Sequence, residues 1–318
     1  MELVILSGKG GTGKTSLVGS LAVLAEQKVL VDADVDAADL HLLLDTERGE
    51  PQVFATGSRA EIITSRCSGC GICKDLCRFE AIKAEPDPEI SGGWRYRVEP
   101  YSCEGCGVCR NFCPEDAIAF EKIESGQWFV SRSRYGTLVH ARLGIAEGNS
   151  GKLVSLLRTK AKEIAEKENK GLIIVDGPPG IGCPVIASLT GADYVLLVSE
   201  PSKSAFHDLD RILELISHFR IPAGLCLNKY DINPELAATM EKYAADKNVL
   251  VLARIPFDPA VTAAQVAGKP LVAFTDRGAA KEIRALWEKL QSEMKKNEKN
   301  RLNIKTSNIL ANQPNLRE

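Results

Sequence analysis

An apolar run, Glu2–Ser7, leads straight into Gly8-Lys9-Gly10-Gly11-Thr12-Gly13-Lys14-Thr15, and a helical pattern follows over Lys14–Gln27. No other feature of the 318 residues constrains the fold as tightly. The glycines at 8, 10, 11 and 13 free the backbone to turn its N–H groups inward as an anion nest. The start of a helix adds partial positive charge at the same point. The string satisfies G-x-x-x-x-G-K-[ST] between a strand and a helix, the context that gives the pattern its meaning. Gly8, Gly10, Gly11, Thr12, Gly13, Lys14, Thr15 and Ser16 are therefore expected to hold the phosphates of a nucleotide. Lys14 is expected on the β- and γ-phosphates and Thr15 on Mg²⁺.

The later sequence keeps the same rhythm. Val29–Val31, Leu172–Val175, Tyr194–Val198, Gly224–Leu227 and Val249–Leu252 are short apolar runs. Helical patterns at Lys152–Lys167, Ser204–Phe219, Pro234–Asp246 and Arg277–Lys296 separate or follow them. Buried strands alternating with helices predict an α/β fold with a mostly parallel, doubly wound sheet. Residues 297–318 read as a polar, flexible tail; with no aromatic residue and no clean apolar stripe they do not describe a membrane-lying helix. A net charge of -2 excludes a chain-wide basic footprint for nucleic acid. The apolar runs are too short for a membrane helix, and the start lacks the basic-then-apolar layout of a signal peptide. These readings predict a cytoplasmic protein with no stable membrane association.

Cysteine usage departs from this ordinary picture. Eight of ten cysteines stand between Cys67 and Cys113. CSGCGICKDLCRFEAI (Cys67–Ile82) recurs 36 residues later as CEGCGVCRNFCPEDAI (Cys103–Ile118), with eight of sixteen positions identical. Each copy reads C-x₂-C-x₂-C-x₃-C, the bacterial ferredoxin spacing, in which three thiolates wrap one cluster and the fourth crosses to the other. Cys67, Cys70, Cys73 and Cys113 are assigned to one [4Fe–4S] cluster, and Cys77, Cys103, Cys106 and Cys109 to a second. Zinc in two four-thiolate sites is the competing reading. Gly71 and Gly107 read as leaving room for an inorganic core, and Arg78 stands where the second copy has Pro114. The duplicated segment predicts a small α+β domain, residues 59–123, inserted into an α/β host of residues 1–58 and 124–296.

Lys9, a second lysine inside the glycine loop, makes GKGGTGKT resemble the deviant Walker motif of the MinD/ParA/nitrogenase-iron-protein class. Over about residues 1–290 the chain resembles MinD-superfamily P-loop ATPases that contain an inserted ferredoxin domain. The resemblance implies ATP binding and slow, partner-stimulated hydrolysis with Mg²⁺. It also implies an ATP-bound homodimer in which Lys9 reaches the partner's phosphates, as an arginine finger does in trans. LVDADVDAADL (Leu30–Leu40) resembles the switch I segment. Asp34 is expected to orient the attacking water, with Asp36 and Asp39 as competitors and Asp32 nearer Mg²⁺. In IIVDGPPG (Ile173–Gly180), Asp176 takes the outer-sphere Mg²⁺ role and the Gly180 N–H senses the γ-phosphate.

Asn228-Lys229-Tyr230-Asp231 follows an apolar strand, where base readers sit. N-K-x-D also describes a guanine reader, whereas the resemblance favours adenine with Asn228 on the base edge and Pro256 beside it. His140–Leu153 and Gly177–Val185 look like further signatures, which place Glu147 and Lys152 near the switches. Cys183 reads as a structural or redox-sensitive thiol and Cys226 as core. Relatives of this class imply metallocofactor assembly beside small cofactor-carrier proteins. The expected function is an ATP-driven dimeric switch coupled to a two-cluster electron relay, serving a redox or cofactor-carrier partner. The alternatives are a MinD/ParA-like positioning ATPase with structural clusters, or an iron–sulfur scaffold.

Overall fold

A computed structural model describes residues 1–144 and 150–311; Glu147 and the last seven residues lie outside these ranges. In chain order the elements are β1 (Glu2–Ser7), α1 (Lys14–Leu24), β2 (Lys28–Asp32), α2 (Leu40–Leu43), β3 (Gln52–Ile62), α3 (Ile72–Asp75), β4 (Ile82–Pro86), β5 (Trp94–Val98), α4 (Val108–Asn111), β6 (Ile118–Ser133) and β7 (Gly136–Leu143). There follow α5 (Ser150–Lys167), β8 (Leu172–Pro179), α6 (Cys183–Leu189), β9 (Tyr194–Ser199), α7 (Lys203–Phe219), β10 (Ala223–Asn228), α8 (Pro234–Asp246), β11 (Leu250–Ile255), α9 (Pro259–Val266), α10 (Leu271–Phe274) and α11 (Ala279–Ala311). The chain forms two compact units. One comprises Met1–Pro51, Trp128–Arg142 and the residues from Ser150 onward; the other comprises Gln52–Gln127 and a short return beginning at Leu143.

In the first unit seven strands run parallel to their neighbours in the order β11-β10-β9-β1-β8-β2-β7. Every residue of β1 and of β9 is buried, as expected of parallel strands covered on both faces. On one face α1, α10 and α11 pack together, and Leu17, Leu21, Leu286 and Leu290 close over Leu3, Ile5 and Leu196. Helix starts carry the expected caps. Ser202 accepts the Ala205 N–H before α7, Asn233 accepts the Leu236 N–H before α8, and Asp258 accepts the Ala260 N–H before α9. Pro234 and Pro259 hold first helical positions, where no N–H is missed.

The helical backbone of α11 runs to Ala311, past residue 297, where the tail was expected to begin. No glycine or proline stands between Gly278 and Pro314, and the intervening lysines and glutamates are good helix formers. Polar composition alone does not stop a helix. Among the described residues no helix is long and apolar enough to cross a membrane.

The second unit carries the duplication in its geometry. Helices α3 and α4 begin at positions 36 apart, after Gly71 (φ 83°) and Gly107 (φ 81°). Glu80 and Asp116 share a left-handed backbone, at φ 50° and 45°. Ala81 and Ala117, and then Ile82 and Ile118, are the matching buried residues. The antiparallel hairpin β4–β5 aligns Ala84 with Tyr96. The left-handed φ favours glycine at both 71 and 107. A Cβ on Gly71 meets the Tyr96 hydroxyl at 2.8 Å, and one on Gly107 meets nothing within 4 Å.

Candidate functional site

The carboxyl ends of the parallel strands converge where open α/β sheets place their ligands. The glycine loop follows β1, Asp32 ends β2, Asp176 lies near the end of β8, Glu200 follows β9, Asn228 ends β10, and Pro256 follows β11. The register pairs Asp32 with Asp176 across β2 and β8. Gly13, with φ 89°, turns the loop into α1, and any Cβ there collides with the Asn228 amide.

Lys14 is the centre of the site. Its side chain is 6 % exposed, and its ammonium lies 2.5 Å from Asp176 Oδ1 and 3.8 Å from Asp34 Oδ2. Burial is the largest influence and works to depress the ammonium's pKa. The charge and hydrogen bond of Asp176, with help from Asp34 and Asp32, outweigh it and raise the value. Asp32 is fully buried and pushed well up, by burial first and by Asp176 next. Asp34 is raised to about 6, again by burial first, with Lys14 opposing. Asp32 spends both oxygens on backbone: Oδ1 accepts the Asp34 N–H and Oδ2 the Leu40 N–H. It thereby shapes the segment that carries Asp34. Among the described residues the second oxygen of Asp176 is buried without a partner, as is the Thr12 hydroxyl.

The remaining sequence-predicted residues are brought to the same face, with several of their groups already engaged. Lys9 bonds within its own chain, to Glu200 Oε1 at 2.8 Å, Ser202 Oγ at 3.0 Å and Ser204 Oγ at 3.2 Å. The Gly180 N–H donates to the Ser7 carbonyl. Asn228 donates to the Thr12 carbonyl at 2.7 Å, leaving its own carbonyl oxygen for a base edge. Asp231 Oδ1 accepts the Phe257 N–H at 2.7 Å, so this carboxylate holds the Pro256–Phe257 segment. A guanine reader needs both carboxylate oxygens. A cavity of about 230 Å³ opens between Gly13, Ser16, Asn228, Pro256, Phe257 and Gln265. Asp36 and Asp39 lie outside the contacts made by Lys14 among the described residues.

Sequence reasoning passed over Glu200 and Gln265, and gave Lys229 no role beyond its place in N-K-x-D. Glu200 ties Lys9 to Lys229, its other oxygen lying 2.9 Å from the Lys229 ammonium. Burial acts most strongly on Glu200 and pushes it up, but hydrogen bonds from Lys9 and Lys229 hold it below the usual carboxylate range. Lys229 also donates to the Gly11 carbonyl, and Gln265 donates to Ser16 Oγ. The available signal for Glu200 was its place at the carboxyl end of an all-apolar strand. Cys226 is fully buried, its thiol pushed up to about 12 by burial, whereas Cys183 is exposed at the start of α6.

In the second unit the eight cysteines gather in two fours. One cavity is lined by Cys67, Cys70, Cys73 and Cys113 together with Tyr96. The Cys73 thiol is pushed up to about 11, by burial first and then by the charge of Cys67. Cys109 is raised by burial, and Cys103, Cys106 and Cys77 add to it. None of the cysteines forms a disulfide. Among the described residues no group of three or more His, Cys, Asp or Glu side chains converges as a single metal ion requires. The donor set, four thiols around one cavity and a second four acting on one another, fits a four-iron cubane.

Residues 3–271 match the model of the CobQ/CobB/MinD/ParA nucleotide binding domain. An uncharacterised protein of Methanocaldococcus jannaschii is 32% identical over 294 residues, covering 92% of this chain and 96% of its own. Two solved structures share the fold at 18% identity and a TM-score of 0.53. The cell division ATPase MinD of Pyrococcus furiosus covers 92% of this chain and 98% of its own. The septum site-determining protein MinD of Pyrococcus horikoshii, complexed with Mg-ADP, covers 91% and 95%. The chain belongs to the CobQ/CobB/MinD/ParA family of nucleotide-binding domains, with the α/β P-loop fold of the MinD superfamily.

Proposed function

We propose that this chain is a Mg²⁺-ATP-dependent dimeric switch that hydrolyses ATP. The observation that carries the reading is the buried Lys14 ammonium, held against Asp176 and Asp34 directly above the glycine loop. To meet a β- or γ-phosphate, Lys14 exchanges Asp176 for it. The Thr15 hydroxyl and, through water, Asp176 would hold Mg²⁺, which would neutralise phosphate charge, while Asp32 shapes the segment that carries Asp34. Asp34 orients the attacking water. Lys9 leaves Glu200, Ser202 and Ser204 to reach the phosphates of a second copy. The base enters the cavity beside Asn228 and Phe257, and the engagement of Asp231 favours adenine. In the test, phosphate release is followed with Mg-ATP. Lys14→Ala removes nucleotide binding. Asp34→Ala keeps binding and lowers turnover by on the order of 10²–10⁴. Full turnover in either variant refutes the assignment.

The output of the switch has two readings. The solved neighbours are named as cell division and septum-site proteins, which favours a positioning ATPase. The two groups of four cysteines favour a chain that also carries two [4Fe–4S] clusters, held by Cys67, Cys70, Cys73 and Cys113 and by Cys77, Cys103, Cys106 and Cys109. Such clusters supply one-electron redox chemistry, and the partner is then a redox or cofactor-carrier protein. Anaerobic purification with iron and acid-labile sulfide analysis, followed by reduction with and without Mg-ATP, separates the two. About eight irons per chain whose reduction responds to nucleotide supports the second reading; clusters indifferent to nucleotide, or an iron-free protein with undiminished ATPase, support the first.

A further inference from the structure

The two four-cysteine sites share their spacing, their glycine backbone angles and their short helices, yet a side chain from outside the repeats stands against only one of them. Tyr96, in the middle of β5, lies in the wall of the cavity formed by Cys67, Cys70, Cys73 and Cys113. Its hydroxyl reaches the backbone between Cys70 and Ile72, so close that a Cβ on Gly71 comes within 2.8 Å of it. The matching position of the second site is bare: a Cβ on Gly107 meets nothing within 4 Å. Among the described residues the Tyr96 hydroxyl donates to no protein acceptor, although the side chain is half-buried. The hydroxyl hydrogen is therefore free for whatever the cavity holds. The phenol also senses the thiols. Its ionisation is pushed up by burial first, and next by the charge of Cys73.

We propose that Tyr96 donates its hydroxyl hydrogen to sulfur of the group held by Cys67, Cys70, Cys73 and Cys113, and so makes the two sites inequivalent in reduction potential. The inference rests on the two-cluster reading above. A hydrogen bond to cluster sulfur stabilises the more negative, reduced state and raises the potential. One electron enters, the phenol keeps its proton in both states, and no bond is made or broken. Arg78, which stands where the second copy has Pro114, is exposed to solvent, which screens its charge. Tyr96 is thus a positioning residue that fixes where the electron rests.

The test uses the full chain, purified without oxygen and reduced stepwise with dithionite under electron paramagnetic resonance. Iron and sulfide content are measured first. The wild type is expected to show two midpoints. Tyr96→Phe lowers one of them by about tenfold in the reduction equilibrium, ~59 mV for one electron, and leaves the other in place. Tyr101→Phe, at an exposed tyrosine of the same unit, moves neither. A fluorinated tyrosine at position 96 keeps the ring and donates more strongly; it raises the same midpoint, which preserves the test if Tyr96→Phe loads poorly. Loaded clusters with unmoved midpoints in the Tyr96 variants overturn this inference and leave the two-cluster reading standing. A wild type without iron overturns both.

Discussion

His140 shows what a single residue contributes and how pH exposes it. It is 3% exposed, stacks on His41 at 5.3 Å and Phe129 at 5.2 Å, and shares a 2.8 Å hydrogen bond with Ser131 Oγ. Burial, then the nearby charges of His41 and Arg48, depress it from 6.5 to about 4. The unfolded chain therefore binds a proton below pH 6.5 that the folded protein refuses until about pH 4. Stability from this residue is complete at neutral pH and is lost as pH falls through that window. Between pH 7 and 5 the loss is about 2 kcal/mol. Urea melts of wild type and His140→Gln at both values check it: the wild type should lose about 2 kcal/mol more than the variant. Equal losses refute the assignment. At this scale the sequence picked out Lys14, Asp34 and Asp176 from their motifs, and the structure brings the three side chains together. Asn228 and Asp231 were found by position. That each already holds another segment, at Thr12 and Phe257, is a tertiary fact no one-dimensional pattern states. Glu200 escaped for the same reason, since its meaning lies in two lysines far away in the chain.

At the scale of elements the reading was good where hydrophobic rhythm is strong. The expected helix over Pro234–Asp246 is α8, and the five apolar runs after β1 all fall on strands β2, β8, β9, β10 and β11. Long polar helices are harder to read. Among the described residues α11 is anchored in the core through Leu286, Trp287, Leu290 and Met294 of its first half. Leu290→Ala should therefore cost about 2–5 kcal/mol of unfolding free energy, whereas Lys299→Ala should cost less than about 0.5 kcal/mol. Thermal melts that fail to separate the two place the anchor elsewhere.

For the whole molecule, the inserted segment was legible as a duplication but not in its borders. The expected insert, 59–123, is smaller than the unit of Gln52–Gln127 with its return at Leu143. β3 and β6 are long strands, 11 and 16 residues, that run unbroken across the expected borders at 58/59 and 123/124, so no break in the strand pattern marks where one unit gives way to the next. Because the cysteines and the glycine loop fall in different units, Cys106→Ala should remove about half the iron under the two-cluster reading and leave ATP affinity within twofold. A collapse of ATP binding in that variant contradicts two separate units. The central claim is that ATP joins two copies of this chain through Lys9. Its most direct measurement is the mass in solution of wild type and Lys9→Ala, each with Mg²⁺ and a non-hydrolysable ATP analogue. The predicted result is a dimer for wild type and a nucleotide-bound monomer for Lys9→Ala; a wild type that binds the analogue and stays monomeric contradicts it.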